Sequence, residues 1–322
     1  MSDTLPIIDA YAHVGLPRFQ SVEHYQGVMQ RNGIGQAVLC SFDSSPDFAP
    51  IHAAFSTDPQ RFRGIGVPLG NDRAEMETAA RAQLEAGFSA LRLTESDLTE
   101  RPWLLEMLAQ HKRIAVVVGA VSSETCARIL VDSLERHPEL TVIGGHFAGM
   151  GSSPSLLASG PASALFAHPR FNVVFSRHGG FEPSALKAWS EAVLAKTGWS
   201  RLLWGSEAPV MFWRNETMAS AIAWIDWLGP SAQERDQFLS GNTQRLYFAA
   251  PLAVALLHLP FDPAERARRI PAGLWANGLP VDQELAGRLV ADWLAAGGEG
   301  RLGDHLQTVL ARALPPLPTT KP

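Results

Sequence analysis

From the N-terminus onward, short runs of β-branched and apolar residues alternate with longer segments whose apolar positions recur every three or four residues. The first pattern fits a strand buried on both faces, the second an amphipathic crossover helix. Eight such pairs can be read. Their strands are Ile7–His13, Gln36–Phe42, Arg63–Leu69, Phe88–Thr94, Ile114–Gly119, Thr141–His146, Asn172–His178 and Leu202–Glu207, and the last helical pattern ends near Phe248. Eight strand-then-helix units are the arithmetic of an α/β fold, the (β/α)8 TIM barrel. An open doubly wound sheet alternates in the same way, but no G-x-G-x-x-G or G-x-x-x-x-G-K-[ST] follows any predicted strand, so the barrel is preferred.

After Phe248 the pattern changes. Pro251–Leu259 is apolar, Pro263–Ile270 is basic with helical spacing, and Asp282–Ala296 and Asp304–Ala313 read as amphipathic helices. The expected organisation is therefore a barrel over residues 1–250 and a C-terminal helical extension over 251–322. Helices without a sheet must bury their apolar stripes on the barrel or on a second copy, so the extension is expected to be a cap or a homo-oligomerisation element.

Composition narrows the function classes. Of 322 residues 46% are hydrophobic and 18% charged, enough for a large core. The net charge of −5 leaves no positive field to hold nucleic acid or anionic lipid, which makes a small molecule the expected partner. Two cysteines, Cys40 and Cys126, are too few for a disulfide framework. The start MSDTLPIIDA has neither the charge nor the apolar stretch of a signal peptide, and Pro251–Leu259 is far too short to span a membrane. A cytoplasmic protein with no membrane association is expected.

In such a barrel the chemistry lies at the carboxyl ends of the strands, and polar residues are dense there. Strand one reads IIDAYAH; period-two alternation would put Asp9, Tyr11 and His13 on one side, His13 nearest the mouth. Strand four offers Arg92, strand six ends in His146, strand seven pairs Ser176 with His178 and sends Arg177 the other way, and strand eight ends in Glu207. A guanidinium in a barrel mouth requires an anionic partner, either Glu207 or a substrate carboxylate. Cys40 ends strand two with no neighbour that would activate it, and reads as buried and apolar. Met211, Phe212 and Trp213 could wall a pocket or belong to the core; Trp224 and Trp227 read as packing, and Glu75, Glu77 and Glu85 as a solvated helix face.

The ordered segments Asp9-Ala-Tyr-Ala-His13, Gly87-Phe-Ser-Ala-Leu-Arg92, His146-Phe-Ala-Gly149, Trp204-Gly-Ser-Glu-Ala-Pro209 and Gly241-Asn-Thr-Gln-Arg-Leu246 resemble the amidohydrolase superfamily. Within it they are similar to the amidohydrolase-related branch of 2-pyrone-4,6-dicarboxylate lactonases and other sugar or muconate lactonases. The resemblance spans roughly residues 5–248. Two positions depart from it: Tyr11 stands for the first histidine of an H-x-H pair, and Glu207 for an aspartate. The resemblance implies that His13, His146 and Glu207 either ligate one divalent metal, zinc or manganese, or act directly as the acid–base apparatus with no metal. A neutral phenol is a poor ligand, so Tyr11 weakens the metal case, while two histidines and one glutamate remain a valid zinc set. No lysine at a strand end can bridge a second ion.

The function implied is hydrolysis of a small carboxylated lactone or related cyclic ester. Glu207 would activate water, His13 and His146 would stabilise the oxyanion, Arg92 would hold a substrate carboxylate, and Tyr11, Ser176 and His178 would line the substrate site. Two alternatives remain: a metal-dependent decarboxylase of an aromatic or muconate-type acid, and a barrel that has lost catalysis and serves as a binding or scaffold partner.

Overall fold

The computed structural model of the chain describes residues 6–15, 19–42, 48–119, 121–149, 153–213 and 216–260, together with Asp292 and Ala295. Strands β1 (Ile7–His13), β2 (Ile34–Cys40), β3 (Phe62–Gly66), β4 (Ala90–Leu93), β5 (Ile114–Val117), β6 (Thr141–Gly144), β7 (Phe171–Phe175) and β8 (Leu202–Trp204) form one parallel sheet in sequence order. The ends meet where Glu207 N–H donates to Tyr11 O at 2.8 Å and His13 N–H to Ala208 O at 2.7 Å. Helices interleave with the strands, so the expected (β/α)8 barrel is what the chain forms. The family of apolar side chains in the lumen includes Val38, Ile65, Val116, Ile143, Val174 and Leu203. Each fully buried aliphatic residue there contributes roughly 1.5–3 kcal/mol by leaving water. A second, larger cluster lies between the strands and the helices.

Local chemistry starts and stops the helices where the sequence signals it. Ser21 accepts from His24 N–H to cap α1 (Val22–Arg31). Helix α2 covers Phe48–Thr57, and α3 covers Arg73–Ala86. Asp72 caps α3, which ends at Gly87 in the left-handed region, where a Cβ would meet Ala253 O at 2.9 Å. Helices α4 (Glu95–Glu100), α5 (Trp103–Gln110), α6 (Glu124–Arg136), α7 (Gly160–Ala167), α8 (Pro183–Thr197) and α9 (Met218–Ala223) complete the ring before a closing helical segment from Ala232 to Phe248.

The strands end sooner than the sequence pattern suggests. Strands β6 and β8 stop at Gly144 and Trp204, leaving His146 and Glu207 beyond them. Both residues have positive φ, 49° and 57°, which no strand accommodates. The apolar stretch 251–259 that follows the barrel is irregular. It runs as a strap over α2 and α3, with Ala255 N–H bonded to Ala86 O at 3.3 Å and His52 Nε2 to Ala255 O at 2.8 Å. Leu252, Leu257 and Leu259 pack on the core. Pro-rich and short, this stretch gains more from side-chain burial than from forming an isolated turn of helix. The helices expected at 263–270 and 304–313 lie outside the described residues; within 282–296 only Asp292 and Ala295 are described, and both are helical. Among the described residues, no helix is long and apolar enough to cross a membrane.

Candidate active site

Strand β1 carries the first residues of the site, and its path is set by a bulge. Asp9 pairs with Ala37 but Ala12 with Leu39, so β1 holds one more residue than β2 between these points. The extra residue resets the alternation. Tyr11 lies in the lumen, while Asp9 turns out of it to meet Tyr25 on α1 and Ser206 beyond β8. The expected common face of Asp9, Tyr11 and His13 is therefore corrected: Tyr11 and His13 stand together, ring centroids 5.1 Å apart, and Asp9 is elsewhere.

Three rings and two charged groups meet at the mouth. Tyr11 presents an edge to His13 at 5.1 Å and to His146 at 5.3 Å, so the phenol lies between the two imidazoles. Its hydroxyl accepts from Arg92 Nε at 3.0 Å, and the Arg92 guanidinium lies 4.6 Å from the Phe42 ring centre. Burial, together with Cys40 and Glu207 and partly offset by Arg92, pushes the Tyr11 hydroxyl well above its ordinary 10, so it stays a neutral phenol. Glu207 Oε1 faces His146 Nε2 at 3.3 Å, and both side chains are largely buried. While Glu207 is ionised it can only accept, which puts the proton on His146 Nε2 and leaves Nδ1 to accept from Ser176 Oγ at 2.9 Å. A cleft of about 170 Å³ opens beside Arg92, between the segments that follow β3 and β4, with Leu69, Met76 and Thr94 among its walls.

His13 has a fixed tautomer. Its Nδ1 lies 3.1 Å from Cys40 O, and a carbonyl only accepts, so Nδ1 carries the hydrogen and Nε2 a bare lone pair. Burial is the main force that lowers its pKa to about 3, with Glu207 opposing and Arg92 assisting. A neutral ring with an unprotonated Nε2 cannot donate to an oxyanion, so the role expected for His13 is corrected to that of an acceptor. Cys40 is fully buried, as expected, and its carbonyl rather than its thiol serves this ring.

Ser176 and His178 do not act as a pair. Strand β7 ends at Phe175, and Arg177 takes a left-handed backbone (φ 70°), which sends Ser176 to His146 and His178 to a buried glutamate, Glu216, at 3.0 Å. His178 also stacks with Trp224 at 6.3 Å. Of the residues expected at the site, the structure brings together Tyr11, His13, Arg92, His146, Ser176 and Glu207. Two partners of the site and its surroundings, Tyr25 and Glu216, have no motif signal. Ser206 lies within the segment Trp204-Gly-Ser-Glu-Ala-Pro209, but its bond to Asp9 had no signal. Met211 belongs to the core, Trp224 packs against Phe147 and Phe175, and nothing is described for the side chains of Phe212 and Trp213.

The match of a family profile decides the affiliation. The amidohydrolase profile covers residues 9–249, three-quarters of the chain. The chain belongs to the amidohydrolase family. The stretch beyond residue 249 lies outside that match. Among curated proteins none is similar enough to count as a match. Solved structures share the amidohydrolase fold: a candidate 2-pyrone-4,6-dicarboxylic acid hydrolase from Pseudomonas putida is 24% identical, with a TM-score of 0.58 over 76% of this chain and 97% of that one. A probable 2-pyrone-4,6-dicarboxylic acid hydrolase from Acinetobacter baumannii, with citric acid bound, is 16% identical, with a TM-score of 0.58 over 76% and 99%. An amidohydrolase from Burkholderia multivorans with bound zinc is 14% identical, with a TM-score of 0.59 over 76% and 99%.

The donor set of this amidohydrolase is a poor match for a resident divalent metal. Among the described residues no three His, Cys, Asp or Glu side chains converge to hold an ion. Tyr11, a neutral phenol bonded to Arg92, occupies the space between His13 and His146. A permanent guanidinium charge beside the same groups would repel a dication.

Proposed function

We propose that this amidohydrolase hydrolyses a small carboxylated lactone or a related cyclic ester, using Glu207 as general base. One observation carries the reading: Glu207, held at φ 57° just past β8 and only 4% exposed, faces His146 Nε2 at the mouth where Arg92, Tyr11 and His13 also meet. A buried carboxylate in a sparsely populated backbone conformation is kept there by surrounding structure, and such features cluster at sites of chemistry.

The lone pair on His13 Nε2 accepts one hydrogen of a water and orients it. Glu207 takes the other as the oxygen adds to the ester carbonyl. The negative charge that develops on the carbonyl oxygen is met by the His146 N–H and the Arg92 guanidinium. When the ring C–O bond breaks, the proton on Glu207 passes to the departing ring oxygen, giving an open-chain hydroxy acid. Arg92 has a planar fork suited to a carboxylate of the substrate, and the adjoining cleft gives such a group room beside it. No step is routed through a metal, because the donor set does not fit one.

Replacing Glu207 with Gln keeps the shape and removes the base. Hydrolysis of carboxylated lactones should fall by about 10³-fold or more, with the far-UV dichroism unchanged. A Glu207→Gln protein that turns over normally ends this reading. For residues 251–322 we propose a cap on the barrel or an interface between copies, and light scattering that shows the full chain as a monomer at working concentrations removes the second.

A further inference from the structure

The turn that carries Glu207 is tied to β1 at successive positions, and two of its four ties end on one carboxylate. Asp9 is completely buried. Its Oδ1 accepts from Tyr11 N–H at 3.0 Å and from Ser206 N–H at 2.9 Å. Its Oδ2 accepts from Tyr25 O–H at 2.5 Å and from the Ser206 hydroxyl. The same Ser206 oxygen accepts from Ala208 N–H at 2.9 Å. Residues 206 and 208 are therefore both held, directly or through one hydroxyl, by Asp9, and Glu207 lies between them.

Close approach makes this possible. A Cβ at Gly205 would meet Tyr11 Cβ and Val174 Cγ1 at 2.9 Å, so only glycine lets the end of β8 settle against β1. Glu207 then adopts its left-handed conformation, which a non-glycine residue keeps only where the surroundings over-determine it. Four donors converge on Asp9, two of them backbone N–H groups that can only donate and two of them hydroxyls. A carboxylate accepts from all four, whereas an amide keeps one acceptor oxygen and forces either the two backbone N–H groups or both hydroxyls to give up the bond they now donate.

We propose that Asp9 is the positioning residue for Glu207: through Ser206 it fixes the turn so that the Glu207 carboxylate faces His146 at the barrel mouth. The proposal rests on the reading of Glu207 as the base, and it ties the bulge of β1 to the geometry of the strand-eight acid. The bulge turns Asp9 out of the lumen to reach Ser206 and Tyr25 while Tyr11 stays inside.

The test is Asp9→Asn in the full chain, with two readouts. In a crystal structure of the variant, Glu207 Oε1 should leave its 3.3 Å approach to His146 Nε2 by an ångström or more. In kinetics on a carboxylated lactone, kcat should drop about 100-fold with KM changed less than threefold, the loss expected for a misplaced group of this kind. A folded Asp9→Asn protein that keeps the contact at its present distance overturns the proposal, as does a loss carried entirely by KM. Should Asp9→Asn fail to fold, Ser206→Ala decides: it removes the hydroxyl that joins Asp9 Oδ2 to Ala208 N–H and leaves Asp9 and the 206 backbone bond in place, so a displacement of Glu207 in the same sense supports the proposal and an unmoved Glu207 overturns it. The crystallographic readout does not require turnover. If the wild-type protein hydrolyses no such ester, the lactonase reading fails while the displacement still decides the role of Asp9.

Discussion

The two ends of the barrel treat their buried polar groups in opposite ways. At the end where the helices finish and the strands begin, arginines are satisfied by backbone. Arg201 donates to the carbonyls of Phe166, His168, Phe171, Lys196 and Thr197, and Arg63 to those of Phe62, Tyr247 and Ala250. These carbonyls belong largely to helix C-termini and turns, where acceptors are in excess and a cation is favoured. At the mouth, side chains meet side chains: Glu207 faces His146, Tyr11 meets Arg92, and Ser176 meets His146. Among the described residues, five of the six non-glycine residues with positive φ, His146, Phe147, Ala148, Arg177 and Glu207, also lie past the strand ends at the mouth; Lys112 is the exception. One end spends its polar groups on closing the fold, the other holds them in strained and mutually dependent positions.

Acid should act on the mouth first. His13 is held neutral with a pKa of about 3 against 6.5 in the unfolded chain, so the unfolded state binds the extra proton between these values. Stability is therefore fully present above about pH 6.5 and is lost as pH falls toward 3, by as much as roughly 5 kcal/mol. Urea midpoints followed from pH 7 to pH 4 should show this slope, and His13→Gln should flatten it. A wild-type midpoint that stays constant would mean that the mouth opens to water more than its burial implies. The base end gives the next largest effect. Arg201→Ala leaves several carbonyls unbonded and should cost about 3 kcal/mol, with kcat unchanged in the protein that remains folded. A selective loss of kcat would erase the contrast between the two ends.

The smallest effects separate strain from function. Arg177→Gly and Lys112→Gly each relieve a positive φ at an exposed residue, and each should stabilise by up to about 1 kcal/mol in thermal unfolding. Equal gains would show that the left-handed conformation itself carries the cost. A loss at Arg177 alone would mean that its side chain holds the turn between Ser176 and His178.

Much of the fold was legible along the chain because burial on both faces leaves a simple signal, a short apolar run. Each of the eight strands lies at the place the pattern gives, and Tyr11, His13, Arg92, His146 and Glu207 were all identified as mouth residues from strand ends. Partnerships were less legible. Ser176 and His178 are two residues apart and look like one face, yet a left-handed residue between them sends them to His146 and Glu216. Asp9 looked like a companion of Tyr11 until the bulge placed it against Ser206. Periodicity describes ideal backbone, and both misplacements occur where the backbone is not ideal.

The amino-acid order alone determined the eight-fold alternation, the barrel it builds and the cluster of titratable residues at one set of strand ends, because each of these follows from local patterns of polarity. Tertiary structure decided the tautomer of His13, the neutrality of Tyr11, the exit of Asp9 from the lumen and the approach of Glu207 to His146. These depend on which carbonyl, hydroxyl or charge lies across a few ångströms of buried space, and the partners come from residues such as Cys40, Ser206 and Arg92, tens to hundreds of positions away in the chain.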